Sequence, residues 1–596
     1  MFNLARKQSR LSQWNGRRRS SRSDELLVPP LWNPPALLRV ATVLMTMFAA
    51  TVLAYRWGPP MPYRVGEVYS NDLRVRAYFE VINQPETELA REQALQHLPA
   101  GKSADAKTRE TIRQSIPPVV EQYSVDTPLV RRGQPVTLEQ VTLLREEHRA
   151  YLHSLTRGDH VRRGAALLLI IGLLTGVVVL YVTRFQQALV QSLTMVAGVC
   201  LLVLLIFTLG LVLSAPPWHA VLVPLTLAAM MLTIAYNAQF ALLMSFCLSL
   251  ASTVTLGVSL EQLLIQMAGL ASSILLLRNV RTRTRLVQVG VGAGLAYFAM
   301  TVAVGLLSGQ TWRFTMSEAV RHLIWGSLAG FVLTGILPLV ERCFGVITDV
   351  SLLELGDGSH PLLQELIRRA PGTYTHSMTV ATLAETAAEA IGANPLLARV
   401  GSYFHDVGKM LKPQYFIENQ AGENRHDTLE PALSTLVIIG HIKDGLALAK
   451  QYRLPRPVVD FIEQHHGTTL VEYFYREAMR LQEENGQTGP ELEESFRYPG
   501  PKPQSRETGI VMLADAAESS SRAMKEPAPN SLSKLVHDLL MKRLLDGQFE
   551  ESGLTLTELH LIEESLSKSL IALCHARIRY PDDEELVVAG DSRQVL

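Results

Sequence analysis

The chain has 596 residues, which is too long for a single domain and predicts several. Its basic and acidic residues balance at 56 each, so the net charge gives no general signal for nucleic-acid binding. The four cysteines exclude a disulfide framework and a cysteine-based zinc site. Three of them lie in or beside apolar runs, and none lies in the 57–162 segment that we place outside the membrane.

Residues 1–35 form a basic N-terminal segment. It contains seven Lys and Arg residues against Asp24 and Glu25, with Ser, Asn and Pro between them. This composition predicts a disordered basic cytoplasmic tail. A nucleic-acid-binding arm is the alternative, but an apolar run follows at once, which favours a tail beside a membrane span. We therefore expect no specific nucleic acid as a partner.

The apolar run at 36–56 has about 20 residues, enough to cross a lipid bilayer, and is predicted to be the first transmembrane helix. The positive tail before it predicts a cytoplasmic N-terminus. The polar segment 57–162 is predicted to be a small extracytoplasmic domain that responds to an unknown ligand. Its amphipathic stretches predict helices at Glu88–Leu98 and Leu138–Leu155.

Residues 163–345 are predicted to form a region of seven membrane helices. With the first helix this makes about eight spans, which returns the chain to the cytoplasm and places the basic loop 278–285 inside and Glu318 outside. The count depends on splitting 239–277 into two spans at Gly257–Gln262. Since the span interiors contain almost no ionisable residues, an anchor that transmits a signal is favoured over a transporter. The apolar runs lie at about 164–182, 193–213, 218–236, 239–257, 259–277, 285–307 and 322–343.

Residues 350–596 have the composition of a soluble, mostly helical domain, which we place in the cytoplasm. The predicted fold class is therefore all-α: a multi-span helical membrane region, a small extracytoplasmic domain between the first and second spans, and a helical cytoplasmic domain. The motif Tyr403–Lys409 is predicted to lie on a buried helix, Leu396–Met410, because apolar residues flank it at helical spacing. On such a helix Asp406 and Lys409 share one face.

Histidines and aspartates of this C-terminal region form an ordered set. Imidazole and carboxylate together suit first-row transition metals such as iron, manganese or cobalt. The set is larger than one metal needs, so it predicts a two-metal centre with one carboxylate shared. A lone buried histidine is more often structural than a ligand, but the complete set in this order favours metal binding. Its members are His376, His405, Asp406, His441, His465, His466 and Asp515.

In its cytoplasmic part the chain resembles the seven-transmembrane HD phosphohydrolases, membrane enzymes that degrade cyclic di-AMP. The membrane region is similar to the family by topology, and the 57–162 segment looks shorter than the family's usual outer domain. The motifs that carry the resemblance are Ala370–Ser377, Tyr403–Lys409, Tyr415–Gln420, Gln464–Thr468 and Tyr498–Gln504.

The resemblance implies a role for each residue of the set. One metal ion would be held by His376, His405, Asp406 and Asp515. The other would be held by His441, His465 and His466, with Asp406 shared. The cofactors would be two divalent ions of iron or manganese.

It also implies two substrate contacts. Lys409 looks like the residue that contacts the scissile phosphate and, with Asp406, supports catalysis. Arg522 is a weaker candidate for the same contact, and a solvated surface arginine is an equal alternative.

The predicted function is a membrane-anchored phosphodiesterase that hydrolyses cyclic di-AMP to linear pApA and is regulated through the outer domain. The HD enzymes that cleave cyclic di-GMP carry a Gly-Tyr-Pro signature after the paired histidines, and here Gly467-Thr468-Thr469 follows instead. The alternatives are the same chemistry on cyclic di-GMP or another nucleotide, and a nucleotide-binding receptor without hydrolysis. The expected partners are cyclic di-AMP, the lipid bilayer and the unknown ligand of the extracytoplasmic domain. The oligomeric state is open, and a homo-oligomer is one alternative.

Overall fold

The structure, a computed structural model, describes residues 34–96, 106–277, 280–420, 422, 424–484, 492–524 and 528–575. The basic tail predicted at 1–35 therefore lies almost wholly outside the described residues, as do residues 576–596. The chain divides into two compact units. The first comprises Met1–Met230, Ala238–Ile274 and Val291–Ala329, and the second Met231–Asn237, Leu275–Gly290 and Gly330–Leu596. Both are mostly helical, which confirms the predicted fold class.

The segment 57–162 follows helix α1 (Pro34–Arg56) and contains short strands as well as helices, which the sequence did not predict. Strands β1 (Leu73–Arg74) and β4 (Pro128–Val130) pair antiparallel, as do β2 (Phe79–Ile82) and β3 (Val120–Tyr123). Their apolar faces form a small core with the last helix of the segment, through Phe79, Val130 and Leu144. The elements are β1 (Leu73–Arg74), β2 (Phe79–Ile82), α2 (Gln84–Gln96), α3 (Ala106–Ser115), β3 (Val120–Tyr123), β4 (Pro128–Val130) and α4 (Leu138–Ser154).

Each of the seven apolar runs predicted after this segment forms a helix of its own, so the stretch 239–277 is indeed divided. The division lies at Gly257, whose φ of +60° suits glycine. Helices α11 (Arg283–Leu307) and α12 (Trp312–Phe344) approach closely, because a Cβ on Gly326 would lie 2.6 Å from the Cα of Gly294. The elements are α5 (Arg157–Phe185), α6 (Gln187–Gln191), α7 (Leu193–Ser214), α8 (Leu222–Ala235), α9 (Ala238–Leu256), α10 (Leu260–Leu276), α11 (Arg283–Leu307) and α12 (Trp312–Phe344).

Two of the helices differ from the predicted spans. Helix α8 begins at Leu222 rather than 218, since the backbone of His219 is not helical and Pro224 is accommodated only in a first turn. With 14 residues it is about 21 Å long, shorter than a hydrocarbon core of about 30 Å. All residues from Val221 to Met230 are buried, which fits a helix surrounded by protein. Helix α12 begins ten residues before the predicted span, so Glu318 lies on it rather than in a loop.

The C-terminal domain is built from helices around two apolar cores. One joins α15 and α16 to the last three helices, for example through Leu383, Leu513 and Leu566. The other joins α13 and α14 to Phe404 and Ile462. The helices are α13 (Asp349–Leu355), α14 (Pro361–Arg369), α15 (Pro371–Ala390), α16 (Pro395–Phe404), α17 (Pro431–Gln451), α18 (Arg456–Gln464), α19 (Glu472–Glu484), α20 (Leu492–Ser495), α21 (Arg506–Arg522), α22 (Pro529–Leu545) and α23 (Leu556–His575).

Length and composition alone do not distinguish every membrane helix. In the described residues seven helices are long and apolar enough to cross a membrane, and one of them is α17. This helix carries His441 and packs on α18 and α19 within the C-terminal domain. The other six are α1, α5, α7, α9, α11 and α12, and α8 and α10 are shorter apolar helices.

The prediction of one continuous helix over Leu396–Met410 was wrong. Helix α16 ends at Phe404, Asp406 has a non-helical backbone, and Val407–Leu411 forms a 3-10 helix. In 3-10 geometry side chains three residues apart eclipse each other, so Lys409 still reaches Asp406. Gly408 allows the backbone after the break to approach α17 closely, because an added Cβ would lie 1.9 Å from the carbonyl oxygen of His441.

We expect Gly408→Ala to destabilise the C-terminal domain by about 3 kcal/mol, because backbone atoms on α17 cannot move aside as a flexible side chain can. The purified full-length protein, unfolded thermally in a chelator, should show a transition lowered by about 6–12 °C. The matched control is Gly440→Ala. Gly440 lies on α17, the helix that Gly408 contacts, and no atom lies within 4 Å of the Cβ that alanine would add there. The control should be neutral or stabilising. Equal transitions for the two variants would contradict the close approach.

Candidate metal centre

The predicted metal ligands come from five separate places in the C-terminal domain. His376 lies in the second turn of α15, His441 on α17 and Asp515 on α21. The pairs His405-Asp406 and His465-His466 lie where α16 and α18 end. All are buried except His466, whose side chain is 18% exposed. The structure therefore brings together all seven residues that the sequence singled out.

The seven residues form two groups that share Asp406, with the potential ligand atoms of each group within 4.8 Å of one another. Oδ2 of Asp406 lies 3.5 Å from Nε2 of His376 and 3.2 Å from Nε2 of His405. Oδ1 lies 3.4 Å from Nε2 of His441 and 3.6 Å from Nε2 of His465. Asp515 completes the first group and His466 the second. Each oxygen of Asp406 thus faces a different group.

Backbone carbonyls orient three of the imidazoles. Nδ1 of His405 donates to the carbonyl of Ser402 at 2.7 Å, and Nδ1 of His441 donates to that of Ile438 at 2.6 Å. Nδ1 of His465 donates to the carbonyl of Phe461 at 2.8 Å. A ring whose Nδ1 carries the proton presents a free lone pair on Nε2. The rings are therefore held in the tautomer that a metal ion requires.

Several buried atoms of the centre lack a hydrogen bond. They are Nε2 of His376, Nε2 of His405 and both carboxylate oxygens of Asp406. Leaving buried polar atoms unsatisfied is costly, and a bound cation would satisfy all four. Together with the donor chemistry, this makes the cluster able to bind metal ions.

Lys409 supplies the positive charge nearest to Asp406. Its Nζ lies 2.7 Å from Oδ2 of Asp406 and 3.2 Å from Oε1 of Glu418. Burial opposes the charge of Asp406, but the adjacent charge of Lys409 outweighs it and holds the pKa of the carboxyl well below its usual range. Burial likewise opposes the charge of Lys409, but Asp406 and Glu418 raise its pKa above the usual value. Both groups are therefore charged at neutral pH.

Two of the sequence motifs meet at the start of α15. The side-chain oxygen of Asn419 accepts hydrogen bonds from the backbone N–H groups of Gly372 and Thr373, at 2.9 and 3.2 Å, and so caps the helix that carries His376. The hydroxyl of Thr373 donates to Glu418 at 3.0 Å. The segment after the HD pair therefore positions both His376 and Lys409.

A third motif covers the other side of the centre. The ring of Tyr498 stacks on His466 with centroids 4.3 Å apart. The backbone N–H of Gln504 donates to the side-chain oxygen of Gln464 at 2.9 Å. The segment 498–504 thus packs against the paired histidines and holds them in position.

Comparison with known proteins finds relatives over most of the chain. The cyclic-di-AMP phosphodiesterase PgpH of Bacillus subtilis is 35% identical over 497 residues, which cover 80% of this chain and 68% of that protein. PgpH of Listeria monocytogenes is 34% identical over 496 residues, which cover 81% and 67%. Residues 162–348 match the family described as a 7TM receptor with intracellular HD hydrolase, and residues 373–519 match the HD domain. The chain belongs to this seven-transmembrane HD family.

Membership of the seven-transmembrane HD family confirms the resemblance drawn from the motifs. The protein is a multi-pass membrane protein and an enzyme, a phosphodiesterase of the HD class. Among solved structures, the HD domain of Listeria monocytogenes phosphodiesterase PgpH in complex with cyclic-di-AMP is 43% identical to this chain in sequence. The match covers 36% of this chain and 99% of the chain in that structure, with a TM-score of 0.34.

The sequence did not reveal Glu518, which lies one helical turn after Asp515. Nδ1 of His376 and Oε2 of Glu518 are 2.6 Å apart, so this carboxylate orients the imidazole as carbonyls orient the others. Arg522 pairs with the other oxygen of Glu518 and is one-third exposed. The structure thus gives Arg522 a supporting contact, and its predicted contact with substrate stays a prediction. The spacing of Glu518 and Arg522 on one helix face was the available signal.

Arg543 on α22 was also missed. Its Nε is buried without a hydrogen bond, and burial lowers its pKa while the nearby charge of Asp515 raises it. It places a further positive charge near the carboxylates. Nothing in the sequence around Arg543 distinguishes it from an ordinary helix-surface arginine.

We expect Glu518→Gln to weaken metal binding about 10-fold, because the neutral amide orients His376 less strongly than the carboxylate does. Titration of the purified, metal-depleted full-length protein with manganese, followed by the electron paramagnetic resonance signal of the free ion, would measure the affinity. Glu385→Gln, which changes a more exposed carboxylate of the same helix as His376, is the control and should bind as the wild type does. If both variants bound alike, Glu518 would have no part in the centre.

Proposed function

We propose that this protein is a membrane-anchored, metal-dependent phosphodiesterase that hydrolyses cyclic di-AMP to the linear dinucleotide pApA. The observation that carries the proposal is the pair of buried ligand groups joined by Asp406, complete at all seven positions. The substrate follows from the two relatives, both cyclic-di-AMP phosphodiesterases, each similar to this chain over about two thirds of its own length.

The proposed ligands of one divalent ion are His376, His405, Asp406 and Asp515. The proposed ligands of the other are His441, His465 and His466, with Asp406 shared. We propose iron or manganese, since imidazole and carboxylate suit both. When bound, such a pair of ions lowers the pKa of water to supply hydroxide at neutral pH and neutralises charge on phosphate.

The protein's own residues then have distinct tasks. Asp406 keeps the two groups at a fixed separation, because one rigid carboxylate faces both. Lys409, charged and largely buried between Asp406 and Glu418, offers an ammonium group to a phosphoryl oxygen of the substrate, where charge grows as the 3′ oxygen departs. Tyr498 and Phe416 pack beside the site, with the centres of their rings 6.3 and 5.9 Å from that of His441.

We further propose the topology predicted from the sequence, with the N-terminus and the C-terminal domain in the cytoplasm and 57–162 outside. One set of contacts supports it. Arg283 of the basic loop pairs with Glu354 at 2.8 Å, and Arg281 lies 3.8 Å from Asp349. Both acidic residues belong to α13, the first helix after the membrane region. The basic loop and the C-terminal domain would therefore lie on the same side of the membrane.

The same helix offers a route for regulation by the outer domain. Glu341, near the end of α12, accepts hydrogen bonds from the backbone N–H of Thr348 at 2.8 Å and from the hydroxyl of Ser351 at 2.7 Å. Helix α13 then packs through Leu352 into the core that contains Phe404, the residue before His405. We propose that a shift of α12 reaches the metal centre through these contacts.

The substrate is tested with purified full-length protein in detergent, loaded with manganese or iron and offered cyclic di-AMP and cyclic di-GMP side by side. We expect conversion of cyclic di-AMP to pApA, loss of turnover in a chelator and its return on adding metal. Asp406→Ala, the control, should have no turnover. If cyclic di-GMP were cleaved in preference, the proposed phosphodiester hydrolysis would stand but cyclic di-AMP would be rejected as the substrate. If cyclic di-AMP bound without being cleaved, a receptor function would be favoured.

We expect Lys409→Met to lower kcat about 100- to 1,000-fold while metal content stays at the wild-type level, because the variant loses a charge that acts on the phosphoryl group. Steady-state hydrolysis of cyclic di-AMP and metal analysis of the same preparation measure the two quantities. Lys443→Met changes an exposed lysine on the helix of His441 and should leave both unchanged. A parallel loss of metal in Lys409→Met would instead assign Lys409 to holding the centre together.

A further inference from the structure

The C-terminal end of α22 carries Arg543, a guanidinium group that no step of the proposed reaction uses. Its Nε is buried without a hydrogen bond, and among the described residues its side chain has neither an ion-pair nor a hydrogen-bond partner. A guanidinium group stays charged at neutral pH. Because a buried charge without a partner costs stability, Arg543 is placed to bind an anion that the chain itself does not supply.

The cations on either side of Arg543 are paired. Lys542, the residue before it, forms an ion pair with Glu472. Arg497 lies 3.2 Å from a carboxylate oxygen of Asp546, three residues after it. Carboxylates are thus available at this end of α22, yet Arg543 pairs with none of those in the part of the chain that the structure describes. The missing partner is therefore particular to Arg543 and does not follow from a lack of acidic residues.

Helix α22 places Arg543 beside the metal centre. The helix packs on α21, which carries Asp515, and Leu540 shares a core with Leu513. Burial lowers the pKa of Arg543, and the negative charge of Asp515 opposes this most, followed by the hydroxyl of Tyr498. The guanidinium group therefore lies within electrostatic reach of a proposed metal ligand and of the ring that stacks on the paired histidines.

Hydrogen bonds tie the end of α22 to the segment after the paired histidines. The backbone N–H of Gln548 donates to the carbonyl of Arg543 at 3.0 Å. The side-chain oxygen of Gln548 accepts from the N–H of Thr468 at 3.0 Å, and its amide donates to the hydroxyl of Thr468 at 2.9 Å. Since Thr468 lies two residues after His466, the backbone of Arg543 is fixed relative to the centre before any ligand binds.

The proposed substrate has a use for a second cation. A cyclic dinucleotide contains two phosphodiester groups, and each carries one negative charge. The metal ions and Lys409 are proposed to act on the group that is cleaved. The other group loses water as the substrate enters the site, so it requires a positive partner of its own. A guanidinium group can donate two parallel N–H bonds to a phosphate, a geometry that an ammonium group does not offer.

We propose that Arg543 binds the second, uncleaved phosphodiester of the cyclic dinucleotide. It thereby favours a substrate with two phosphates over one with a single phosphate. The inference rests on the proposed function, because the second phosphodiester belongs to cyclic di-AMP. The contact is the same before and during cleavage, so it strengthens substrate binding and leaves the chemical step unchanged.

The test is steady-state hydrolysis by the full-length protein in detergent, loaded with manganese. Two substrates are compared: cyclic di-AMP, and bis(p-nitrophenyl) phosphate, which has a single phosphodiester. We expect Arg543→Met to raise the KM for cyclic di-AMP about 10- to 100-fold with kcat within about twofold of the wild type, since one charge-assisted contact is lost. Both constants for bis(p-nitrophenyl) phosphate should be unchanged.

Further variants separate binding from a structural role. Arg543→Lys keeps a positive charge without the planar donors, so its KM for cyclic di-AMP should lie between those of the wild type and Arg543→Met. Lys534→Met changes an exposed lysine of the same helix and is the matched control. Thermal unfolding in a chelator should show a transition for Arg543→Met equal to or above that of the wild type, because the variant removes a buried charge without a partner.

Three results would overturn the proposal: an unchanged KM for cyclic di-AMP in Arg543→Met, an equal loss with both substrates, and a lowered unfolding transition. The second would assign Arg543 to the metal centre and the third to the fold. If the wild type cleaved bis(p-nitrophenyl) phosphate but not cyclic di-AMP, the proposed substrate would be rejected together with this role. If the wild type cleaved cyclic di-AMP and Arg543→Met had the same KM, the role of Arg543 alone would be rejected.

Discussion

The buried carboxylate of Asp406 is the constraint on which the C-terminal domain depends. It is 1% exposed, and an uncompensated charge in such a place would strongly destabilise the fold. The surrounding structure supplies compensation through the ammonium group of Lys409, and the histidines whose free nitrogens face the same space are able to hold a cation there. Every partner must reach one small carboxylate: α16 and α18 end where they carry their ligands, while His441 and Asp515 reach the site from within α17 and α21.

This requirement explains the irregular backbone of the centre. The HD pair lies where α16 stops, and a 3-10 helix turns Lys409 back over Asp406. Gly408 permits that turn because it lies directly against the backbone of α17, so His441 approaches from the opposite side. Asn419 caps α15 and so fixes the position of His376 relative to Asp406. Packing, helix termination and charge compensation are thus three consequences of one crowded site.

The sequence by itself determined the properties that depend on local composition. Each apolar run became a helix because its length and hydropathy are local quantities, and the seven-member set of histidines and aspartates was recognisable because ligand chemistry belongs to residue type. Tertiary structure decided the rest. The strands of 57–162 are short and pair across 38 to 57 residues. Helix α16 breaks because of a backbone contact with α17, and Glu518 meets His376 across 142 residues of chain. Such contacts leave no periodic trace in the sequence, because they depend on where distant segments meet.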